Sequence, residues 1–276
     1  MNILTEALLD TCKLIPFLFA TYLCLEYIEH KTTTYITRWI QKANLSGPLV
    51  GSLCGAIPQC GFSVVASNFY AAGIISLGTL IAIYLSTSDE MLPILISSNI
   101  PISLTIKIVI YKIICGILCG YLIAFLGKKQ TDQSINIEEF CRNENCHCNA
   151  NIWRSALYHT LRISLFIFLI TLFFNAVFSF INLQSYIINI NTPIIGELLG
   201  GLFGLIPNCS ASVILTQLFV DNHISLSILI SGTLTNAGVG LIVLFRVNRR
   251  LKENLKILFL TYICGVIGGI VFSCIY

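Results

Sequence analysis

Six long apolar runs constrain this chain more than any other feature of its sequence. A helix needs about 20 apolar residues to cross the hydrocarbon core of a bilayer. Runs of this kind occupy residues 14–27, 75–97, 104–126, 163–181, 224–245 and 255–274. Only 11% of the residues are charged, whereas a soluble domain carries about 25%. The sequence therefore predicts an all-α polytopic membrane protein that has the lipid bilayer as its surroundings.

Charge and motifs exclude several classes of function. The formal net charge is +3, and no block of Lys and Arg suits a nucleic-acid partner. The chain contains no P-loop, no H-E-x-x-H motif and no Gly-rich dinucleotide fingerprint of the kind that many common enzymes carry. We therefore expect no enzyme activity and no cofactor, apart from a transported ion and a coupling proton.

The second half of the chain repeats the first at a spacing of 149 residues. Nine of the seventeen positions in 47–63 are identical in 196–212. Both segments contain an Ile-Pro-x-Cys motif, which ends at Cys60 in the first copy and at Cys209 in the second. Internal repeats of this kind are typical of transporter folds, in which the copies have parallel or inverted orientations.

The distribution of basic residues predicts that the two repeats are inverted. Loop 29–45 carries three Lys and Arg, whereas its counterpart, 178–196, carries none. Loop 246–256 carries five, whereas the matching stretch, 99–107, has only Lys107. Because cytoplasmic loops hold the excess of Lys and Arg, equivalent loops are expected to face opposite sides of the membrane.

Inversion requires an odd number of crossings in each half. We expect two inverted-topology repeats, each with three spanning helices and a broken or re-entrant helical hairpin, which gives about 10 helices in total. Two arms of about 12 residues in 47–73 would each rise about 18 Å, which is less than the core thickness of about 30 Å. Two short spanning helices in place of each hairpin would also give an odd number of crossings in each half. The sequence therefore leaves open whether each hairpin is re-entrant or consists of two short spanning helices.

The expected organisation is a first transmembrane repeat in 1–127, a cytoplasmic linker in 128–153 and a second, inverted repeat in 154–276. With both termini outside, thirteen of the sixteen Lys and Arg residues lie on or near the cytoplasmic face. The expected location is the cytoplasmic, or inner, membrane of the cell.

The hairpin tips are predicted to form a substrate site near the bilayer midplane. Pro58 ends the first arm because it removes an N–H from the helical ladder, and irregular backbone at that depth must be buried or line a wet cavity. The tips would supply thiols, amides and hydroxyls from Gln59, Cys60, Ser63, Asn208, Cys209 and Ser212. The alternative is that these Cys and Ser are small residues that permit close packing. Glycines at every fourth position of the first arms, 47–55 and 196–204, are expected to pack closely on neighbouring helices.

A second polar cluster interrupts a spanning run at STSDE, residues 86–90. An Asp inside a span costs about 2.5 to 3.5 kcal/mol on insertion scales and indicates an ion pathway by default. The predicted substrate or proton ligands are Thr87, Ser88, Asp89 and Glu90, with Asn236 at the position equivalent to Thr87. The alternatives are an acidic pair near the outer interface and a salt bridge to a residue such as Lys112.

The linker between the repeats contains CRNENCHC, which predicts a metal site at Cys141, Cys146, His147 and Cys148. Thiolate and imidazole suit Zn(II), Cu(I) and other soft metals. Because the spacing is not that of a standard zinc finger, a flexible linker without metal stays open as the alternative.

Segments 55–95, 204–219 and 245–249 resemble the ten-helix heavy-metal exporter family, which is related to arsenic-type permeases and is also labelled as manganese transporters. The resemblance implies a permease that exports a metal or metalloid across the cytoplasmic membrane, with five helices in each half. Soft sulfur favours trivalent arsenic or a soft metal, whereas carboxylates and amides favour Mn(II). The sequence offers both ligand sets, and the direction of transport comes from the resemblance alone.

These observations favour a secondary-active transporter with alternating access around the midplane site. Two other functions stay open: an ion channel on the same scaffold, and a metal-responsive membrane protein that transports nothing. The sequence disfavours an intramembrane enzyme that uses Cys60 or Asp89, because it contains no matched catalytic partner for either residue.

Overall fold

The computed structural model describes residues 46–57, 61–88, 91–98, 100–126, 152–180 and 194–275, together with residue 192 and parts of 8–23. Its helices are α1 (Gly47–Gly55), α2 (Gly61–Ala71), α3 (Leu77–Ser86), α4 (Met91–Ser97), α5 (Ile102–Leu126), α6 (Ile152–Phe180), α7 (Ile195–Gly204), α8 (Cys209–Val220), α9 (Leu226–Thr235), α10 (Val239–Val247) and α11 (Leu251–Ile275). No strand occurs in these ranges, which confirms the all-α prediction.

Five stretches of the described chain are long and apolar enough to cross a membrane: Leu77–Ser97, Ile102–Leu126, Ala156–Phe173, Leu226–Val247 and Leu251–Ile275. They overlap five of the six predicted runs. The sixth run, 14–27, is described only in part. Large apolar side chains are exposed along α5, α6 and α11; a soluble protein rarely exposes so extended an apolar surface. The protein is therefore a multi-pass membrane protein, as predicted.

Two of the spans are broken, and the breaks occupy equivalent positions in the two halves. The span Leu77–Ser97 consists of α3 and α4, and Leu226–Val247 consists of α9 and α10. Equivalent serines cap α3 and α9: Ser76 accepts from the Thr79 amide at 3.3 Å, and Ser225 accepts from the Ile228 amide at 3.5 Å. Such caps satisfy amides that have no intrahelical partner.

Equivalent helices of the two halves also make equivalent contacts. In the first half, α1 packs on α3 and α5, and α3 packs on α5; in the second, α7 packs on α9 and α11, and α9 packs on α11. Between the halves, α2 packs on α10, and α8 packs on α4. The duplication in the sequence therefore has a counterpart in the packing.

Contacts between α5 and α11 establish the relative direction of these equivalent helices. The thiols of Cys119 and Cys264 are in hydrogen-bond contact, and the ring centroids of Tyr111 and Phe272 are 4.9 Å apart. As the residue number falls along α5, that of the contacting residue rises along α11. The two helices therefore run antiparallel at this contact.

Candidate functional site

The first arm of each hairpin lies alongside the first half of a broken span. At Gly55, an added Cβ would be 2.7 Å from the carbonyl oxygen of Ile83, and at Gly204 it would be 2.8 Å from the carbonyl carbon of Gly232. Real Cβ atoms do not approach backbone so closely, so each arm can pack here only as glycine. This confirms the predicted close packing of the glycine faces.

Because α1 begins beside Thr79 and ends beside Ser86, it runs parallel to α3 and stops where the span breaks. The second half repeats the arrangement, since α7 passes Ile228 and ends beside Thr235 at the end of α9. All four hairpin arms contain between 9 and 12 residues, which is at most about 18 Å of helix. Each first arm therefore ends level with the break at the middle of a span.

In the first hairpin, Ser63 lies in the contact between the two halves. Its backbone carbonyl accepts from Ser67 Oγ at 2.7 Å. Ser67 Oγ is also 2.7 Å from both the Tyr84 hydroxyl and the Gly240 carbonyl oxygen. A Cβ added at Gly240 would be 2.7 Å from the Ser63 carbonyl oxygen. Ser63 and Ser67 are fully buried, and Ser67 joins α2, α3 and α10 through polar contacts.

In the second hairpin, Asn208, Cys209 and Ser212 form the start of α8 and are all buried. The side chain of Asn208 caps the helix by accepting from the Ser210 amide at 3.5 Å. Ser212 Oγ donates to the Cys209 carbonyl at 2.8 Å. Cys209 belongs to the same apolar cluster as Val64 of α2. This end of α8 is therefore inside the protein and shares a core with the first hairpin.

The break between α3 and α4 contains Thr87 and Ser88, both of which are buried. Thr87 Oγ1 donates to the Ile83 carbonyl at 2.7 Å, and Ser88 Oγ donates to the Ser86 carbonyl at 3.1 Å. The Ile83 carbonyl also accepts from the Thr87 amide at 3.1 Å, whereas the Ser86 carbonyl lies at the end of α3, where carbonyls lack intrahelical donors. The lone pairs on the hydroxyl oxygen atoms of Thr87 and Ser88 are available to bind a cation.

The equivalent break between α9 and α10 is formed by Asn236 and Gly238. Asn236 Oδ1 accepts from the Gly238 amide at 2.8 Å, and Gly238 has a positive φ of 54°. A side chain is disfavoured in that conformation, which explains glycine at the position where the first half has Asp89. Both breaks thus carry buried polar groups, as predicted, but the second is neutral.

Lys112 of α5 joins the two breaks. Its side chain has 0% exposure, and its ammonium donates to the carbonyl of Thr87 and, at 3.0 Å, to the carbonyl of Thr233 in α9. In the sequence, Lys112 was expected only as an alternative salt-bridge partner of the acidic pair at 89–90. The signal that marked it was a Lys near the centre of an apolar span.

Glu197 of α7 is a buried acid that sequence reasoning missed. It is 2% exposed, Oε1 accepts from Ser227 Oγ at 2.7 Å, and Oε2 has no hydrogen-bond partner among the described residues. Its place in the first turn of α7 is favourable for a negative charge. The signal was a lone acid inside an apolar hairpin arm.

A cavity of about 470 Å³ leads from the second hairpin along α10. Leu205 and Pro207 line one part of it, and Arg246 at the end of α10 lines another. The guanidinium carbon of Arg246 is 5.5 Å from the ring centroid of Phe166 in α6. The cavity therefore connects the hairpin to the basic end of a broken span.

Comparison with known families decides the class of this protein. The family model ArsP_2, described as "Putative, 10TM heavy-metal exporter", matches residues 2–196, which is more than half of the chain. The chain belongs to the ArsP_2 family. Neither a curated protein nor a solved structure matches it.

Membership of ArsP_2 confirms the resemblance seen in the sequence and the assignment to a heavy-metal exporter class. A family of transporters is also consistent with the expectation that the chain is not an enzyme. The match includes the first Ile-Pro-x-Cys motif and the Cys/His linker, but it ends before the second motif, which begins at Ile206. The ArsP_2 match therefore does not test the equivalence of the two motifs.

Eight of the predicted site residues in this ArsP_2 protein lie outside the described residues: Gln59, Cys60, Asp89, Glu90, Cys141, Cys146, His147 and Cys148. Their roles, and the alternative salt bridge to Lys112, stay predictions. Within the part of the chain that the structure describes, no group of three or more His, Cys, Asp and Glu side chains is arranged to hold a metal ion.

Proposed function

We propose that this protein is a secondary-active permease that exports a heavy-metal or metalloid ion from the cytoplasm by alternating access. The substrate site lies near the bilayer midplane, between two inverted repeats. It is lined by the two hairpin tips and the two span breaks. The domain division proposed above, the inner membrane as location and the cytoplasmic linker belong to the same proposal.

The observation that carries this proposal is the convergence of hairpins and breaks at one level. Each first arm ends beside the break of its own half, and each second arm packs on the continuation of the broken span in the other half. Motion of one repeat relative to the other therefore changes the surroundings of both tips. Irregular backbone at such depth occurs where it lines a site or is buried in protein.

The antiparallel course of α5 and α11 supports inversion, because these helices occupy equivalent positions in the two repeats. Parallel copies would direct equivalent spans to the same side of the membrane. The cavity beside α10 supports access from the cytoplasm, since it reaches Arg246, which begins the most basic loop of the second half. Basic loops face the cytoplasm.

The proposed ligands of the transported ion are of two kinds. Cys60 and Cys209 offer soft sulfur, which suits trivalent arsenic and soft metals. Amide, hydroxyl and carboxylate oxygens suit Mn(II), and these come from Gln59, Ser63, Thr87, Ser88, Asp89, Glu90, Asn208, Ser212 and Asn236. The linker residues Cys141, Cys146, His147 and Cys148 would collect or sense metal on the cytoplasmic side.

Whole-cell metal content tests the function. Cells with and without the protein are loaded with Mn, Zn, Cu, Cd, arsenite or methylarsenite, and the retained element is measured. We expect lower retention of at least one substrate in expressing cells, and unchanged retention of all six would contradict export. Saturable uphill transport in inverted vesicles separates a transporter from a channel, which only dissipates a gradient.

A paired substitution tests the site. Cys60→Ala combined with Cys209→Ala is expected to abolish export of a thiophilic substrate, because both proposed sulfur ligands are removed. Cys54→Ala combined with Cys274→Ala is the matched control, since these thiols lie on α1 and near the end of α11. If the variant with Cys60→Ala and Cys209→Ala exports the substrate as well as the wild type does, these two cysteines are not ligands of the transported ion. A metal-responsive protein without transport predicts that only the linker substitutions have an effect.

A further inference from the structure

The ammonium of Lys112 occupies a position with the features of a cation site. Thr87 is the residue that caps the C-terminal end of α3, and Thr233 lies in the last turn of α9. Carbonyls at helix C-terminal ends lack intrahelical donors and carry the negative end of the helix dipole. Lys112 donates to one such carbonyl from each repeat, so its positive charge lies at the negative ends of two helices.

The depth of this position excludes an ordinary surface lysine. Lys112 is the eleventh residue of α5, a span of 25 residues, so it lies about 15 Å from the start of that helix. Its side chain is completely buried and does not extend to an interface, as long basic side chains usually do. Unwound carbonyls and half-helix C-terminal ends at this depth are the groups with which secondary transporters coordinate a monovalent coupling cation.

The duplicated position lacks this arrangement. Thr261 of α11 is equivalent to Lys112 at the repeat spacing, and its Oγ1 donates to the Ile257 carbonyl of its own helix at 2.9 Å. The charge is therefore present in one repeat only. A lysine required merely for helix packing has no reason to bridge the broken spans of both repeats.

We propose that Lys112 is a tethered cation, whose ammonium permanently fills a monovalent-cation site between the C-terminal ends of α3 and α9. The occupant in other proteins with such a site would be Na⁺, K⁺ or ammonium. Given the transport function proposed above, export by this protein then requires no free monovalent cation at this position. Loss of the side chain exposes the site to small cations from solution.

Thermal unfolding of the purified protein tests this proposal without any transport. Melting temperatures are compared in chloride salts of ammonium, methylammonium, Na⁺, K⁺ and choline at equal ionic strength. Lys112→Ala is expected to lower the melting temperature by several degrees, and a small cation at tens of millimolar is expected to restore most of the loss. Choline, which is too large for the site, is the control salt. Lys112→Met fills the space with apolar atoms, so no salt should raise the melting temperature of this variant above its value in choline.

The wild-type protein is expected to melt at the same temperature in all five salts. A rise with Na⁺ or K⁺ over choline would overturn the proposal, because the site would then be open. The absence of recovery of Lys112→Ala by any small cation would also overturn it. If Lys112→Ala does not fold, the melting temperatures of the wild-type protein in the five salts still test whether the site is closed to free cations. A failure of metal export with these thermal results intact would contradict the proposed function and leave the tethered cation standing.

Discussion

At the scale of single residues, buried polar groups distinguish this protein from a simple bundle of apolar spans. Hydroxyl and amide side chains at the breaks donate to or accept from backbone groups at the adjoining helix ends. Glu197 is different, because one of its two buried carboxyl oxygens has no hydrogen-bond partner among the described residues. A buried carboxyl group with incomplete hydrogen bonding is destabilising, so the hydrogen bond that Ser227 donates to Glu197 contributes more to stability than that of an average hydroxyl.

We predict that Ser227→Ala lowers the free energy of unfolding by about 1 to 3 kcal/mol, because the 2.7 Å bond to Glu197 Oε1 is lost and both carboxyl oxygens remain buried. The measurement is denaturant or thermal unfolding in detergent. In a Glu197→Leu background the same change should cost little, since both partners are then apolar. The 3.0 Å contact of Ser227 with Ser225 is lost in both backgrounds and cancels. Equal costs in the two backgrounds would contradict the prediction.

At the scale of helices, close glycine contacts place the first hairpin arms on the broken spans, whereas side-chain contacts join α5 to α11. The first hairpin arms, α1 and α7, pack backbone to backbone on α3 and α9, as at Gly55 and Gly204. Helices α5 and α11 meet through Tyr111, Cys119, Cys264 and Phe272. The second kind of contact reports helix direction, which makes it suitable for a test of the inverted arrangement.

We predict that Cys119 and Cys264 form a disulfide on mild oxidation. Their side chains interact between α5 and α11, and a disulfide forms only where two sulfur atoms can reach bonding distance with little backbone movement. The experiment uses a variant that retains only these two cysteines and has a protease site in the linker 128–153. After oxidation and cleavage, the two halves should migrate as one band on a non-reducing gel and separate after reduction.

The matched control for this cross-link retains Cys119 and Cys274. Cys274 is ten residues beyond Cys264 on α11, or about 15 Å along the helix. The two halves of the control variant should therefore separate after cleavage. Cross-linking of the control but not of the first pair would show that α11 runs in the opposite direction from the one described above.

At the scale of the whole molecule, packing between the repeats and basic-loop asymmetry are consistent with one topology. The end of α10, the start of α11 and the connection between them carry Arg246, Arg249, Arg250 and Lys252. The far end of α11 carries no charged residue after Lys256. The positive-inside rule places the first end in the cytoplasm, and α11 is long enough to reach the other side.

We therefore predict opposite results for two reporter fusions in a bacterial host. A fluorescent protein that folds only in the cytoplasm should fluoresce when it is fused after Arg250. It should be dark when fused after Tyr276, where alkaline phosphatase, which is active only outside, should be active instead. Fluorescence of both fusions would place both ends of α11 on the same side and contradict the inverted topology.

The class of the fold was predictable from the sequence because it depends on properties of single segments. Length and apolar content identify a span, and five of the predicted spans agree with those that the structure describes. Glycines at intervals of four residues predicted close packing, since the interval alone places them on one helix face. The duplication was evident because identical residues recur at one fixed spacing.

Only the tertiary structure decided which distant elements meet. No local pattern indicates that α2 packs on α10 and α8 on α4, because such contacts depend on the shapes of several helices together. For the same reason, Lys112 in the sequence was one charge in a span, whereas in the fold its ammonium binds carbonyls from both repeats. Composition and spacing determined that this is a duplicated membrane protein with broken helices, while packing over long sequence distances decided which of its polar groups come together.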